Sequence, residues 1–290
     1  MRFVKKFVRT PKGTLTVIFA AVLAVAGTAT GWSLVAPHVL AAIVGACGVE
    51  LLVGFVTNRK FAWPTSALLS GAIVAMILAP QTPLVETVWV AGLATASKYL
   101  IATARGHVFN PAALALLISI PLFSTGQSWW GAGGDMAWPL MILILACGAL
   151  IVDRINKFPL VLSFGALYFG AFTLLGLINI EPSQAAEMFR APFVQSAVFL
   201  AMFMLTDPPT SPGRYTEQVW FGALAAVTGC VAQLMGAGQA YLLFGVLVPN
   251  AALAAWRIIG NPRPARLTLA RSVAVESSGA GADAGVRRGV

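Results

Sequence analysis

Long apolar runs, each closed by a short polar or charged break, follow one another along almost the whole chain. Ten of them approach or reach the ~20 residues that a helix needs to cross ~30 Å of hydrocarbon. They cover 14–35, 38–57, 64–80, 84–102, 108–123, 137–152, 158–178, 193–206, 218–236 and 239–257. This pattern predicts an all-α polytopic membrane protein with about ten transmembrane helices. Trp63-Pro64, Trp138-Pro139 and Phe158-Pro159 stand at the turns, where aromatic rings anchor at the interface and Pro opens a helix. The third, fifth, sixth and eighth runs are short. Broken helices persist in a bundle only where protein or a wet cavity satisfies their backbone. Their free N-termini suit anionic groups.

The polar, Gly-rich stretch from Ser124 to Asp135 leaves five runs on each side. The transmembrane domain, 14–260, therefore divides into halves at about 14–123 and 137–260. With an odd number of crossings each, two related halves would run antiparallel, as inverted repeats do. Asn110-Pro111-Ala112-Ala113-Leu114-Ala115 in the first half is echoed by Pro249-Asn250-Ala251-Ala252-Leu253-Ala254 in the second. Pro64-Thr65-Ser66 and Pro209-Thr210-Ser211 echo each other too, but one opens a run and the other comes after one. The offsets disagree, so the duplication stays open.

Composition supports the membrane reading. Hydrophobic residues make up 58% of the chain, charged residues 10%, and mean hydropathy is +0.83. The formal net charge of +9 reports orientation. With a cytoplasmic N-terminus and ten crossings, every one of the 19 basic residues except Arg190 falls on the inner side, as the positive-inside rule expects. The expected location is a bacterial inner membrane, with both termini cytoplasmic and lipid as the surrounding partner. Nucleic acid is excluded as a partner, because no basic groove with stacking aromatics is present. Residues 1–13 form a basic N-terminal segment, and the run after them is long enough to stay as an uncleaved first helix. Residues 261–290, rich in Arg, Gly, Ala and Ser, read as a disordered basic cytoplasmic tail whose arginines suit anionic lipid.

Cys47, Cys147 and Cys230 are far apart and inside runs, so they read as small buried hydrophobes, with no metal-ligand spacing. No hydrolase, protease, nucleotide-loop or dinucleotide fingerprint occurs. At most, the chain is a subunit of a membrane oxidoreductase. The candidate chemistry lies in two breaks. In Gly106-His107-Val108-Phe109-Asn110-Pro111, Asn110 can cap a helix and His107 can donate to a ligand carbonyl. In Thr206-Asp207-Pro208-Pro209-Thr210-Ser211, Asp207 can accept from a ring N–H, while Thr210 and Ser211 can cap a helix; pairing of Asp207 with Arg214 is the alternative. Glu50 lies inside the second run, a functional candidate unless it pairs with Arg59 or Lys98 near the boundary. Lys98 is expected to snorkel.

Ser97-Lys98-Tyr99 through Asn110-Pro111-Ala112, and Phe203-Met204-Leu205-Thr206-Asp207-Pro208-Pro209-Thr210-Ser211 with Phe221-Gly222-Ala223-Leu224, resemble motifs of one membrane-subunit family. It comprises the RnfD-type subunit of the Rnf electron-transport complex and the NqrB-type subunit of the sodium-pumping NADH:quinone reductase. The likeness runs over about residues 15–260. It implies a ten-helix subunit that holds flavin and passes electrons, together with redox partner subunits, in an ion-pumping complex. In that family FMN is attached to a Thr in a Ser-Gly-Ala-Thr type motif, which this chain lacks; Thr125 is the nearest hydroxyl in the corresponding stretch. The resemblance and the departure together imply FMN or riboflavin held noncovalently, with His107, Asn110, Thr206, Asp207, Thr210 and Ser211 as cofactor-binding residues. A small-solute channel on the same scaffold is the alternative.

Overall fold

The computed structural model describes residues 7–59, 63–103, 106–133 and 137–259. The expected basic tail and parts of the expected N-terminal segment lie outside the described residues. Among those described, eleven α-helices come in order. They are α1 (Pro11–Thr30), α2 (Trp32–Val56), α3 (Thr65–Ile77), α4 (Leu84–Leu100), α5 (Pro111–Phe123), α6 (Ala137–Arg154), α7 (Phe158–Leu177), α8 (Pro182–Glu187), α9 (Ala191–Phe199), α10 (Tyr215–Leu234) and α11 (Tyr241–Ile259). A two-residue hairpin, β1 (Ala102–Thr103) with β2 (Gly106–His107), interrupts them between α4 and α5. The chain is thus all-α and polytopic. Four helices are long and apolar enough to cross a membrane by length and composition: α1, α2, α7 and the last, which with its leading turn covers Gly238–Ile259. α3, α5 and the α9 segment are the shorter apolar helices.

Every run that the sequence marks contains a helix, but several bounds move. The break between the first two falls at Gly31, not near residue 36. Gly31 takes φ +97°, a conformation open to Gly and strained for other residues. Trp32 then folds back until its indole lies against Gly27, where a Cβ would meet the ring at 2.6 Å. Pro37 sits inside α2 instead of breaking it. The sixth run gives a full 18-residue helix, not a short one. A small helix, α8, comes after α7 where the sequence shows only a polar break.

Exposed large apolar side chains circle the bundle, among them Leu52, Phe55, Leu150, Leu162 and Val227. Such a surface belongs in lipid. Inside, helices meet through small residues, which let backbones approach where lipid offers no hydrophobic drive. A Cβ at Gly45 of α2 would lie 2.2 Å from the Val88 carbonyl of α4, and one at Gly222 of α10 would lie 2.3 Å from the Leu160 carbonyl of α7. α11 packs on α10 and also reaches α5, and that contact joins the two halves of the chain.

Candidate functional site

The hairpin positions His107. Ala102 pairs with His107 and Thr103 with Gly106, and the Val108 N–H returns to the Ile101 carbonyl at 3.0 Å. Gly106 makes the turn with φ +124°. Asn110 then caps α5, its side-chain oxygen accepting from the Ala113 N–H at 3.1 Å, with Pro111 in the first turn. The cap expected from the sequence is therefore present.

Asp207 arrives by a different device. After α9 the chain widens into a π turn over Leu200–Met204, closed by the Leu205 N–H on the Leu200 carbonyl at 2.9 Å. Such turns shift the register of the residues after them. Asp207 emerges opposite the hairpin, and His107 Nε2 lies 3.3 Å from Asp207 Oδ2. Two segments a hundred residues apart thus form one pair. Asp207 takes His107 as its neighbour, not the Arg214 allowed by the sequence. Their side chains keep 17% and 28% of their surface exposed, so both remain open to a ligand.

The link between the segments was invisible in the sequence. Asn250, within α11 and 1% exposed, accepts the Asn110 N–H at 2.9 Å and donates to the Thr210 carbonyl at 3.1 Å. Asn110 Nδ2 in turn donates to the Met204 carbonyl at 3.2 Å. The echo Pro249-Asn250-Ala251 was the only available signal. The structure turns that echo into a contact, because the Asn250 side chain bonds the backbone of Asn110.

These bonds sort the expected site residues. Asn110 commits both its side-chain atoms and its N–H to protein. The Thr206 hydroxyl donates to the Met202 carbonyl at 2.7 Å, and the Ser211 hydroxyl to the Asp207 carbonyl at 2.8 Å. Thr210 donates to Asp207, with its Oγ1 3.3 Å from Oδ2. Asn110, Thr206, Thr210 and Ser211 therefore build the site, and His107 and Asp207 face it. The sequence allowed Thr210 or Ser211 to cap a helix end; in the structure their hydroxyls close the Asp207 turn.

Behind that turn, successive carbonyls are taken by side chains from three elements. Thr210 receives Asn250, Ser211 receives Arg257 at 3.3 Å, Pro212 receives the Lys157 ammonium, and Gly213 receives Gln218 at 3.1 Å. Lys157, in the turn between α6 and α7, is buried. Its burial pushes the ammonium down from the ordinary lysine range to about 8; Arg257 adds to this, while Asp207 and Glu217 oppose it.

In front of the pair lies a cavity of about 720 Å³, within the ~300–1,000 Å³ typical of small-molecule sites. His107, Asn110, Thr206 and Asp207 line one part of it. Leu69, Ile73, Ile151, Ile155 and Phe203 give apolar walls. The start of α3 (Thr65, Ser66), the start of α1 and Lys98 complete the lining. Lys98 does not snorkel: 9% exposed, it donates to the Ser66 carbonyl at 2.9 Å and to the Ser66 hydroxyl at 3.0 Å. Glu50 also borders the cavity, and accepts the Tyr99 hydroxyl at 2.6 Å. Arg59 lies over the ring of the same Tyr99, 5.3 Å from its centroid. The boundary pairing expected for Glu50 thus runs through a tyrosine.

The stretch where an FMN-bearing Thr would fall is packed against the bundle. The Thr125 and Ser119 hydroxyls lie 2.6 Å apart, and Thr125 is buried. Gly126 accepts the Ala79 N–H, and the buried Trp130 donates to the Ala75 carbonyl at 2.6 Å. Among the described residues no cluster of His, Cys, Asp or Glu could hold a metal ion.

The fold and the cavity define a multi-pass membrane protein with a ligand-sized site between its helices. Residues 122–264 match the NQR2, RnfD, RnfE family model, the same NqrB/RnfD-type family that the motifs resemble, and members of that family work in multi-subunit membrane complexes. The matched region is narrower than the 15–260 expected from the motifs. It contains Asp207, Thr210, Ser211 and Asn250, and it leaves His107 and Asn110 outside. No curated protein matches the chain.

Proposed function

We propose that this chain holds a flavin, FMN or riboflavin, noncovalently in the cavity, and exchanges electrons there with partner subunits in a cell membrane. The observation that carries the reading is the cavity itself, where the two motifs converge on a His107–Asp207 pair beside apolar walls. The residues fit the group. An isoalloxazine ring needs apolar surfaces and a few polar partners at its edge. Phe203, Leu69 and Ile73 supply surfaces of that kind. Asp207 is an acceptor for a ring N–H, and His107 is a donor or acceptor according to its tautomer. If the ligand carries a phosphate, Lys98 and the start of α3 offer positive charge. A bound flavin supplies one- and two-electron transfer; the protein residues orient it and exclude water. The inner-side placement of both termini, argued from the basic residues, belongs to this proposal.

The test is to purify the protein in detergent, record its visible spectrum and precipitate it with acid. Flavin absorbance that moves to the supernatant supports the reading, and Asp207→Ala is then expected to weaken retention about tenfold or more, the scale of a lost charged hydrogen bond. A colourless, folded protein that takes up no added flavin refutes it, and solute flux in liposomes becomes the next assay.

A further inference from the structure

The turn that carries Asp207 is braced from behind, and the braces differ in kind. Of the four side chains bonded to the carbonyls of residues 210–213, Asn250 and Gln218 are neutral amides and Arg257 keeps its charge at any working pH. Lys157 is the one whose charge can change under mild conditions. It is 5% exposed and donates to the Pro212 carbonyl. The groups facing it from other elements are Asp207 on the braced turn, Glu217 on α10 and Arg257 on α11.

We propose that Lys157 is a positioning residue for the ligand site: its ammonium, anchored on Pro212, holds the turn so that the Asp207 carboxylate faces the cavity, and full ligand affinity requires the charged form. The inference rests on the cavity being the ligand site proposed above. Displacement at Pro212 reaches Asp207 because the turn is short and closed. The Thr210 and Ser211 N–H groups both bond the Asp207 carbonyl, at 3.1 and 3.0 Å. Charge-assisted bonds are roughly twice as strong as neutral ones, so loss of the proton weakens the Pro212 anchor and removes a positive charge from behind Asp207.

The pH dependence separates positioning from mere support of the fold. The Lys157 proton leaves the folded chain at about pH 8, below the ordinary lysine value of 10.5. Through that window the unfolded chain binds the proton more tightly, so this group makes folding stability rise with pH. Ligand affinity is expected to move the opposite way.

The experiment titrates the full chain in detergent with riboflavin and with FMN, from about pH 7 to about pH 9, a range centred on the lowered Lys157 value. Wild type should lose affinity several-fold through about pH 8, with no fall in Tm attributable to this residue. Lys157→Arg, which keeps the charge, should be flat; Lys157→Met should bind weakly throughout. A flat wild-type profile, or a Lys157→Arg profile that tracks wild type, overturns the proposal. If neither flavin binds at any pH, the flavin reading fails, and the positioning role is then decided by amide exchange over residues 207–213. Protection of the Thr210, Ser211 and Gly213 amides, after correction for the intrinsic rise of exchange with pH, that falls through the same window in wild type but not in Lys157→Arg supports it; identical protection in the two proteins overturns it.

Discussion

Replacing Asn250 by Ala is expected to damage both stability and the site, for reasons legible in its burial and its two bonds. The side chain is 1% exposed and ties the Asn110 N–H (2.9 Å) to the Thr210 carbonyl (3.1 Å). Alanine removes both bonds and leaves two buried backbone groups unpaired, each worth about 1–3 kcal/mol. The expected loss is thus about 2–6 kcal/mol, large against the ~0.5–3 kcal/mol of most substitutions. Asn250→Asp keeps an acceptor for the Asn110 N–H and loses the donor to Thr210, so it should fall between. Unfolding in detergent, followed by tryptophan fluorescence, measures the loss. Flavin retention measures the site, because the two bonds set the distance between the hairpin and the Asp207 turn. An Asn250→Ala protein within about 0.5 kcal/mol of wild type would refute the claim that this side chain joins the two segments.

Two further predictions concern packing. The Tyr168 and Tyr241 hydroxyls lie 2.6 Å apart in a fully buried aromatic cluster; either single change to Phe should cost about 1–3 kcal/mol, and the double change less than the sum, in a double-mutant cycle of unfolding free energies. Gly222→Ala would push a Cβ to 2.3 Å from the Leu160 carbonyl, whereas at Gly229 the nearest atom is Tyr241 Cδ2 at 4.0 Å. The first should destabilise by about 1–3 kcal/mol or more and the second should be near neutral, as read by Tm.

Ten of the eleven helices were legible because each lies in an apolar run, and Asn110-Pro111 announced α5 outright; α8 lies in a polar break and was not. The His107 hairpin was not, since two-residue strands carry no periodicity. The π turn before Asp207 also lies in a run that reads as ordinary helix. Asn250 was hidden for another reason: a buried Asn in an apolar helix declares its partners only when the helices are packed. Trp129 and Trp130 sit in a polar, Gly-rich stretch that reads as a boundary between halves, yet their indoles are buried and bonded to the Gln239 and Ala75 carbonyls. Of the six residues read as ligand contacts, Asn110, Thr206, Thr210 and Ser211 also bond to protein groups, because Ser, Thr and Asn beside a turn bond to nearby backbone readily.

We propose that the cavity in front of His107 and Asp207 holds a flavin without a covalent bond. The most direct measurement is the visible spectrum of the purified protein, followed by acid precipitation, in wild type and in Thr125→Ala. Flavin absorbance is expected in both proteins, with release to the supernatant in both. Flavin that stays with the wild-type pellet and is lost in Thr125→Ala would contradict the claim, as would a folded protein that binds no flavin at all.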